Sequence, residues 1–193
     1  NLRRTHALLS LMLLNGARLA ARTDTDGNVH RLKDQDRTRW NRTMINRGIL
    51  HLRESAAGNE ISEYHLQAGI AACHCVAPDF GSTDWPRILA LYDQLIQLDD
   101  SPIVALNRAV AVAQVRGPEA GIDAIAAIRN CHSLESYYLF YAVLAEFEFQ
   151  LQHFPAAAAH LRRAIQLAEI TSEKALLSAR LAECENQRMP VAG

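Results

Sequence analysis

Apolar residues recur along this chain at intervals of three and four, the period of amphipathic helices. The first such stretch predicts a helix over about residues 5–22. Its apolar positions are Leu8, Leu11, Met12 and Leu19. The turn-forming residues from Thr23 to Asn28 then predict a polar loop. The chain therefore begins with a helix that has one leucine-rich face, and we expect this face to be partly exposed in the isolated chain.

A second helix is predicted to begin after Asp36, whose carboxylate is a good N-cap, and to continue to about Ser55. Gly58-Asn59 is predicted to end it. The apolar positions assigned to its core-facing side are Trp40, Met44, Ile45, Ile49 and Leu52. Residues 1–60 are thus interpreted as a helix–loop–helix segment.

From Ser62 onward the pattern repeats. Pro86, Pro118 and Pro155 each follow a break and suit a first helical turn, where the missing N–H costs nothing. Their spacings bracket the roughly 34-residue period of tetratricopeptide repeats. Aligning the three prolines also aligns the small residues Cys73, Ala105 and Ala142, which we expect to be buried at equivalent places. Two further sets align: Leu95 with Ala127 and Ala164, and Ile96 with Ile128 and Ile165.

Residues 61–193 are therefore predicted to form three helical hairpins and a capping helix from Thr171 to about Arg188. The hairpin helices are predicted at 62–76 with 85–98, 102–115 with 118–129, and 134–152 with 155–168. The predicted fold is all-α: a tetratricopeptide-like helical hairpin array, or α-solenoid, that follows the helix–loop–helix segment.

Composition supports a helical protein. Of 193 residues, 49% are hydrophobic, whereas Gly (9) and Pro (6) are too few for a fold of many short strands. The net charge of −1 argues against a dedicated polyanion binder, yet residues 1–53 carry 11 basic and 4 acidic side chains. This asymmetry indicates either contact between the two parts or two different partners; a solvated helix face explains it equally well.

Catalytic and metal-binding patterns are not found. Gly27 at the sixth position of an EF-hand loop would place Lys33 where the bidentate carboxylate belongs, which excludes calcium. Cys73 and Cys75 would point away from each other on a helix, so they cannot share one metal ion. We expect no enzyme activity, no cofactor and no metal site. The four cysteines suit reduced packing residues of a cytoplasmic protein.

The first apolar stretch is too short and too polar for a membrane span, and no other segment is long enough. Arg3-Arg4 precede it, but the Ser, Asn and Gly residues within and after it favour an amphipathic helix over a leader peptide. The chain is interpreted as a fragment without membrane contact.

An aromatic concentration lies in the third predicted hairpin: Tyr137, Tyr138, Phe140, Tyr141, Phe147 and Phe149. Core packing explains most of these residues. A peptide-binding groove would explain the remainder, and Tyr137, Tyr138 and Tyr141 are the candidates for it.

One segment has an unusual composition, with the pattern D-x-x-G-x-x-x-x-L-x-x-Q-D-R-x-x-W. Its members are Asp24, Gly27, Leu32, Gln35, Asp36, Arg37 and Trp40. A cap, an opposite charge and a large aromatic residue could simply fix the loop against the next helix. The alternative is that they hold the loop in a shape that a partner recognises.

This signature segment resembles that of the extracytoplasmic-function RNA polymerase sigma factors that carry a long tetratricopeptide-like C-terminal extension. Further stretches are similar to the same group: Ala7–Leu14, Tyr64–Ala72, Thr83–Trp85, Ile88–Asp93 and Ser101–Ala113.

The resemblance implies a bacterial, cytoplasmic transcription-initiation factor. Its promoter-reading and polymerase-binding regions two and four would lie upstream, so the chain would start inside a regulatory, protein-binding extension. Implied partners are regions two and four in the same protein, core RNA polymerase through the parent protein, and an unknown regulator. DNA would be contacted only through the missing regions. The alternative is a free-standing tetratricopeptide-like scaffold. For the isolated chain we also expect a homodimer through the first helix.

Overall fold

A computed structural model describes residues 2–57 and 61–188, and these residues form nine α-helices and no strand. The helices are α1 (Leu2–Gly16), α2 (Arg42–Ser55), α3 (Glu63–Val76), α4 (Trp85–Leu98), α5 (Pro102–Arg116), α6 (Pro118–Ala126), α7 (Tyr138–Gln150), α8 (Phe154–Leu167) and α9 (Thr171–Arg188). Short 3-10 turns lie at Leu19–Ala21, Leu32–Asp34, Arg37–Arg39 and Cys131–Leu134. The predicted all-α class and the predicted helical array are confirmed.

The helices fall into two compact units. The first unit contains residues 1–26 and 30–100, and the second contains residues 27–29 and 101–193. The predicted boundary at residue 60 separates two sequence segments and does not refer to these compact units, so it stays a prediction. The predicted stop at Gly58-Asn59 lies outside the described residues.

Helices α1 and α2 of the first unit pack closely because small residues line their contact. A Cβ atom on Gly48 would lie 2.8 Å from Leu14 Cγ, and one on Gly16 would lie 2.8 Å from Met44 Cε. The buried residues of α1 are accordingly Ala7, Ser10 and Leu14.

The predicted leucine-rich face is therefore not the side of the first helix that faces the core. Of its four residues only Leu11 packs against the core; Leu8, Met12 and Leu19 are exposed. The helix also ends at Gly16 rather than near residue 22. The leucines occur around most of the helix circumference, so periodicity alone could not choose the face, whereas the small side chains allow close helix approach.

The start of the second helix was also mispredicted. Asp36 caps the 3-10 turn Arg37–Arg39. The N-cap of α2 is Asn41, five residues after Asp36, and its Oδ1 accepts the Met44 N–H at 3.0 Å. Both residues are good caps, and the buried Trp40 separates the two turns. The end at Ser55 is as predicted.

Helices α3 and α4 form the first hairpin, and α3 also packs on α1. Its core is shared with the N-terminal helices. The buried members of this cluster are Leu14, Ala17, Ala21, Trp40, Ile45, Ala71, Ala72 and Cys75. The core of the first unit therefore joins the helix–loop–helix segment to the first hairpin.

In the second unit, α5 pairs with α6, α7 pairs with α8, and α9 packs on α8. Pro102 and Pro118 are the first residues of α5 and α6, and Pro86 and Pro155 are the second residues of α4 and α8. The predicted proline-led helix starts are thus present.

The predicted register of small residues is wrong. Cys73, Ala105 and Ala142 are half-buried rather than buried. Cys73 lies in the last turn of α3, whereas Ala105 lies in the first turn of α5. Eight residues separate α3 from α4, but only Gly117 separates α5 from α6. Residues at the same sequence distance before the proline of each hairpin's second helix therefore lie at different positions along its first helix.

Candidate functional site

The signature segment is anchored by a buried guanidinium. Arg37 is 6% exposed, and its Nη1 donates to the carbonyl oxygens of His74 at 2.7 Å and Ala77 at 2.9 Å. Nη2 donates to Thr83 Oγ1 at 3.3 Å. These acceptors lie at the C-terminal end of α3 and in the loop that follows. Arg37 therefore satisfies helix-end carbonyls that would otherwise lack donors.

Burial lowers the pKa of Arg37, while the nearby Asp79 carboxylate opposes that shift. A guanidinium remains protonated under such conditions, so the buried group is a cation held mainly by carbonyl oxygens.

Two guanidinium groups lie over the ring of Trp40. The Cζ atom of Arg37 is 4.8 Å from the centroid of the Trp40 ring, and the Cζ atom of Arg18 is 5.3 Å from it. The indole is 2% exposed. Two cation–π contacts with a buried ring are favourable because little water competes for the cations. Trp40 is thus the core anchor of the segment.

The residues beside Arg37 shape the backbone. Asp36 Oδ1 accepts the Thr38 N–H at 2.9 Å and the Thr38 hydroxyl at 2.6 Å, and these bonds hold the pKa of Asp36 below its usual value. Gln35 Nε2 donates to the His30 carbonyl at 3.2 Å. The Asp36 carboxylate is exposed, so this group both caps the turn and is presented to solvent.

The earlier half of the signature forms the polar loop. Asp24 Oδ1 accepts the Asp26 N–H at 2.9 Å, and Asp24 Oδ2 lies 3.8 Å from His30 Nε2. Gly27 has φ +82°, which only glycine adopts without strain. Leu32 packs against the core that contains Trp40. The loop is therefore closed by its own hydrogen bonds and attached at its end.

Buried positive charge also affects His74 on α3. Burial, together with Arg18 and Arg37, lowers the pKa of His74 to about 4. Its ring lies edge-on to Trp85 with centroids 5.3 Å apart. His74 is therefore neutral near pH 7, and its contribution here is a backbone carbonyl and a packed ring.

The structure thus brings most of the predicted signature together as one fixed loop. Leu32, Arg37 and Trp40 attach it to the core, while Gln35 and Asp36 shape its final turn. Its charged, exposed side chains include Asp26, Lys33, Asp34, Asp36 and Arg39. Such an arrangement can present charges for protein contact.

Sequence reasoning missed Arg18, His74 and Thr83 as members of this cluster. Arg18 lies just beyond the end of α1, and its pKa is lowered by burial. Thr83 belongs to the Thr83–Trp85 stretch that resembles the sigma-factor group, and that resemblance was the available signal. Nothing in the local sequence indicated Arg18.

A cavity of about 460 Å³ opens among α2, α3 and α4 of the first unit. Its walls are mainly apolar, with Arg87 and Gln94 at exposed positions. The lining side chains that contribute apolar surface are Leu52, Ala56, Ile61, Leu66, Cys73 and Leu91. It lies among different residues from the signature loop.

The three groove tyrosines are half-buried. Tyr137 and Tyr141 pack against the α5–α7 core, and Tyr138 and Tyr141 pack against the α7–α9 core. Tyr141 also lies under Arg163, whose Cζ atom is 5.8 Å from the ring centroid. Each of the three rings thus has core contacts, and their role as a peptide groove stays a prediction.

Within residues 2–57 and 61–188, no three His, Cys, Asp or Glu side chains gather in a way that could hold a metal ion. No helix of the described part of the chain is long and apolar enough to cross a membrane.

Parts of this chain are similar to other known proteins. Residues 1–56, which include the whole signature, match a family of unknown function, DUF6596. An uncharacterized protein of Rhizobium meliloti (strain 1021) is 36% identical over 174 residues, which is 90% of this chain and 41% of that protein. No solved structure matches the chain. The chain therefore spans about two fifths of the length of the curated relative that it matches.

Proposed function

We propose that this chain is the regulatory, protein-binding region of a bacterial RNA polymerase sigma factor that acts in transcription initiation in the cytoplasm. The observation that carries the proposal is the signature segment, which resembles that of one sigma-factor group and forms a fixed loop with exposed charges. The region itself is non-catalytic and binds neither cofactor nor promoter. Regions two and four of the parent protein would read the promoter and bind core polymerase.

The loop suits recognition because its shape is set before a partner binds. Arg37 bonds to residues 37 to 46 positions away in the chain, so the segment cannot change shape without breaking buried hydrogen bonds. A fixed loop loses little entropy on binding. Its exposed carboxylates and basic side chains would select a partner by charge. Regions two and four of the same protein, or a separate regulator, are the proposed partners.

The length comparison supports a module within a longer protein. The Rhizobium meliloti relative extends well beyond the matched part, which leaves room for promoter-reading regions in proteins of this kind. The second candidate, a free-standing tetratricopeptide-like scaffold, is favoured by the hairpin array, because such arrays commonly bind peptides.

Two observations separate these candidates. The gene sequence upstream of Asn1 would encode regions two and four if the sigma-factor proposal is correct. The full-length protein should then direct core RNA polymerase to a promoter subset in a reconstituted transcription assay. A sequence without those regions, or a full-length protein that never binds core polymerase, would favour the scaffold.

The role of the loop is tested in the same assay with Asp36→Ala. Its carboxylate is exposed but caps the turn, so we expect the variant to remain folded with a loss of about 1 kcal/mol, and to lose transcription from the target promoter. Asp123→Ala, an exposed carboxylate on α6, is the matched control and should retain transcription. Full transcription from folded Asp36→Ala would exclude this carboxylate as a contact.

A further inference from the structure

Two histidines from different helices meet at the α1–α2 contact. His6 Nδ1 and His51 Nδ1 are 2.9 Å apart, and the ring centroids are 5.0 Å apart with a 40° tilt. Both side chains are half-buried. The contact between Gly48 and Leu14 holds the same two helices together. The pair is therefore positioned by packing and does not depend on a chance encounter of two surface side chains.

The distance between the two nitrogens matches a particular metal geometry. Imidazole nitrogens bind first-row divalent metals at about 2.0–2.1 Å. Two such nitrogens at adjacent corners of a square-planar or tetragonal ion are then about 2.9 Å apart, whereas two corners of a tetrahedron are about 3.3 Å apart. The observed separation of 2.9 Å is that of the hydrogen bond between the two rings, and it is also close to the first of these values. Cu²⁺ and Ni²⁺ prefer that geometry. Tetrahedral Zn²⁺ would require the rings to separate.

We propose that His6 and His51 form a two-histidine site for a divalent transition-metal ion with tetragonal preference, Cu²⁺ or Ni²⁺. Both Nδ1 atoms donate to the ion, and water occupies its other positions. In the hydrogen-bonded pair one ring carries its proton on Nδ1. That proton moves to Nε2 of the same ring on binding, so two neutral rings bind the ion without net proton loss. The two other nitrogens then carry the N–H groups.

The surrounding charge determines which ions can bind. Helices α1 and α2 carry five arginines and a single carboxylate, Glu54. One of these arginines, Arg4, is paired with Glu63 of α3. The remaining positive charge of the two helices opposes every cation, so only ions with a strong intrinsic preference for imidazole should bind detectably. Along the first transition row, nitrogen ligands bind Cu²⁺ more tightly than Ni²⁺. The alkaline-earth ions prefer oxygen ligands. The expected order is Cu²⁺, then Ni²⁺, with no binding of Mg²⁺ or Ca²⁺.

A bound ion would connect α1 to α2 and therefore stabilise the first unit, because the ligand pair exists only in the folded protein. No short-spacing pattern predicts this site, because the two histidines are 45 residues apart in the chain. The site differs from clusters of three or more ligands, which the described residues lack.

The experiment titrates the purified 193-residue chain with Cu²⁺ or Ni²⁺ and records binding by calorimetry, with Cu²⁺ coordination read by electron paramagnetic resonance. We expect one site per chain with two nitrogen ligands, and a higher melting temperature that EDTA reverses. His6→Gln and His51→Gln should each weaken that site at least about tenfold. His132→Gln, which removes an exposed histidine of the second unit, is the matched control and should change nothing.

The melting temperature of each variant in EDTA must match that of the parent, which shows that the variant is folded. A variant that does not fold is replaced by His6→Asn or His51→Asn. The proposal is overturned if the one-site binding persists in the variants of both histidines, if His132→Gln lowers it equally, or if the spectrum shows fewer than two nitrogen ligands. Adventitious surface binding would give the first of these results, or the second if His132 takes part in it.

Discussion

At the scale of single residues, the indole of Trp40 is the centre of the best-defined cluster in the first unit. The guanidinium groups of Arg18 and Arg37 lie over this ring. The Arg37 guanidinium also donates a hydrogen bond to the carbonyl oxygen of His74 on α3. The same positive charge surrounds His74. Packing, hydrogen bonding and charge are therefore coupled at this point, and substitutions here should affect stability more than substitutions in the exposed loop.

Trp40→Ala should lower the free energy of unfolding by about 3–5 kcal/mol, because a large buried side chain is removed and both cation–π contacts are lost. Urea denaturation followed by circular dichroism measures this loss. Trp40→Phe, which keeps an aromatic ring beside the guanidinium groups, should recover a substantial part of the lost stability. Equal losses for Ala and Phe would show that the ring contacts contribute little.

The low pKa of His74 makes stability depend on pH. In the unfolded chain a histidine binds a proton near pH 6.5, whereas folded His74 does so only near pH 4. Its contribution is therefore fully present above about pH 6.5 and is lost as the pH falls toward 4. Linkage gives a loss of about 3 kcal/mol across that window. Urea midpoints measured between pH 7 and pH 4 test this expectation.

Two variants test whether His74 causes this pH dependence of stability. His74→Gln removes the titrating ring and should flatten the stability profile between pH 6.5 and 4, whatever its effect at pH 7. His132→Gln should leave the slope unchanged, because that side chain is exposed. If His74→Gln retained the parent slope, another group would be responsible.

At the scale of helices, close approach is decided by small residues at the contact. Gly48 on α2 is the clearest example, because the side chain opposite it, Leu14, is fully buried and cannot move aside. In the second unit, a Cβ atom on Gly121 would lie 2.7 Å from the Ala113 Cβ and from Phe147 Cε2. Both units thus depend on a glycine where helices pack.

Gly48→Ala should destabilise the chain by about 1–3 kcal/mol. Alanine is the better helix former by up to about 1 kcal/mol, but its Cβ would lie 2.8 Å from Leu14 Cγ, so overpacking outweighs propensity. Thermal melting gives the comparison. Gly81→Ala, where the nearest atom is Asp79 Oδ1 at 3.5 Å, is the control and should change stability little. A more stable Gly48→Ala would mean that α1 and α2 can separate without cost.

At the scale of the whole molecule, one exposed apolar surface with a helical arrangement lies along α1. Leu8 and Leu9 are each 37% exposed and Met12 is 63% exposed. Burying such area releases about 25 cal/mol per Å². Leu8 and Met12 belong to the predicted leucine-rich face, so this side of α1 is where the isolated chain should associate with another copy.

Met12→Asp should therefore convert a self-associating chain to a monomer in light scattering, without loss of helix content. Ile170→Asp, which alters an equally exposed apolar residue of the second unit, is the control and should leave association unchanged. A parent chain that is already monomeric at high concentration would contradict the expected homodimer.

DNA binding by the isolated chain should be weak and independent of sequence, despite the basic residues 1–53. Of their eleven basic side chains, two lie against Trp40, and Arg4 is paired with Glu63 at 2.5 Å. Any affinity measured by gel shift should fall steeply between 50 and 200 mM salt, as phosphate contacts do. A salt-resistant footprint on one promoter would contradict this prediction.

The sequence by itself determined the helical class, the proline-led starts of four helices and most helix ends. These features depend on propensity, capping and apolar period, which act over a few residues and can be read locally. The importance of Trp40 and its neighbours was also visible, because their pattern is unusual and resembles that of a known family.

Only the tertiary structure decided which face of α1 is buried, where α2 begins, and that Arg18, Arg37 and His74 surround one indole. It also decided that His6 and His51 meet. Each of these depends on side chains many positions apart, whose contact is set by loop lengths and by how closely glycines allow helices to approach. Local propensities do not contain that information, because several packings satisfy the same periodic pattern until steric contact selects one.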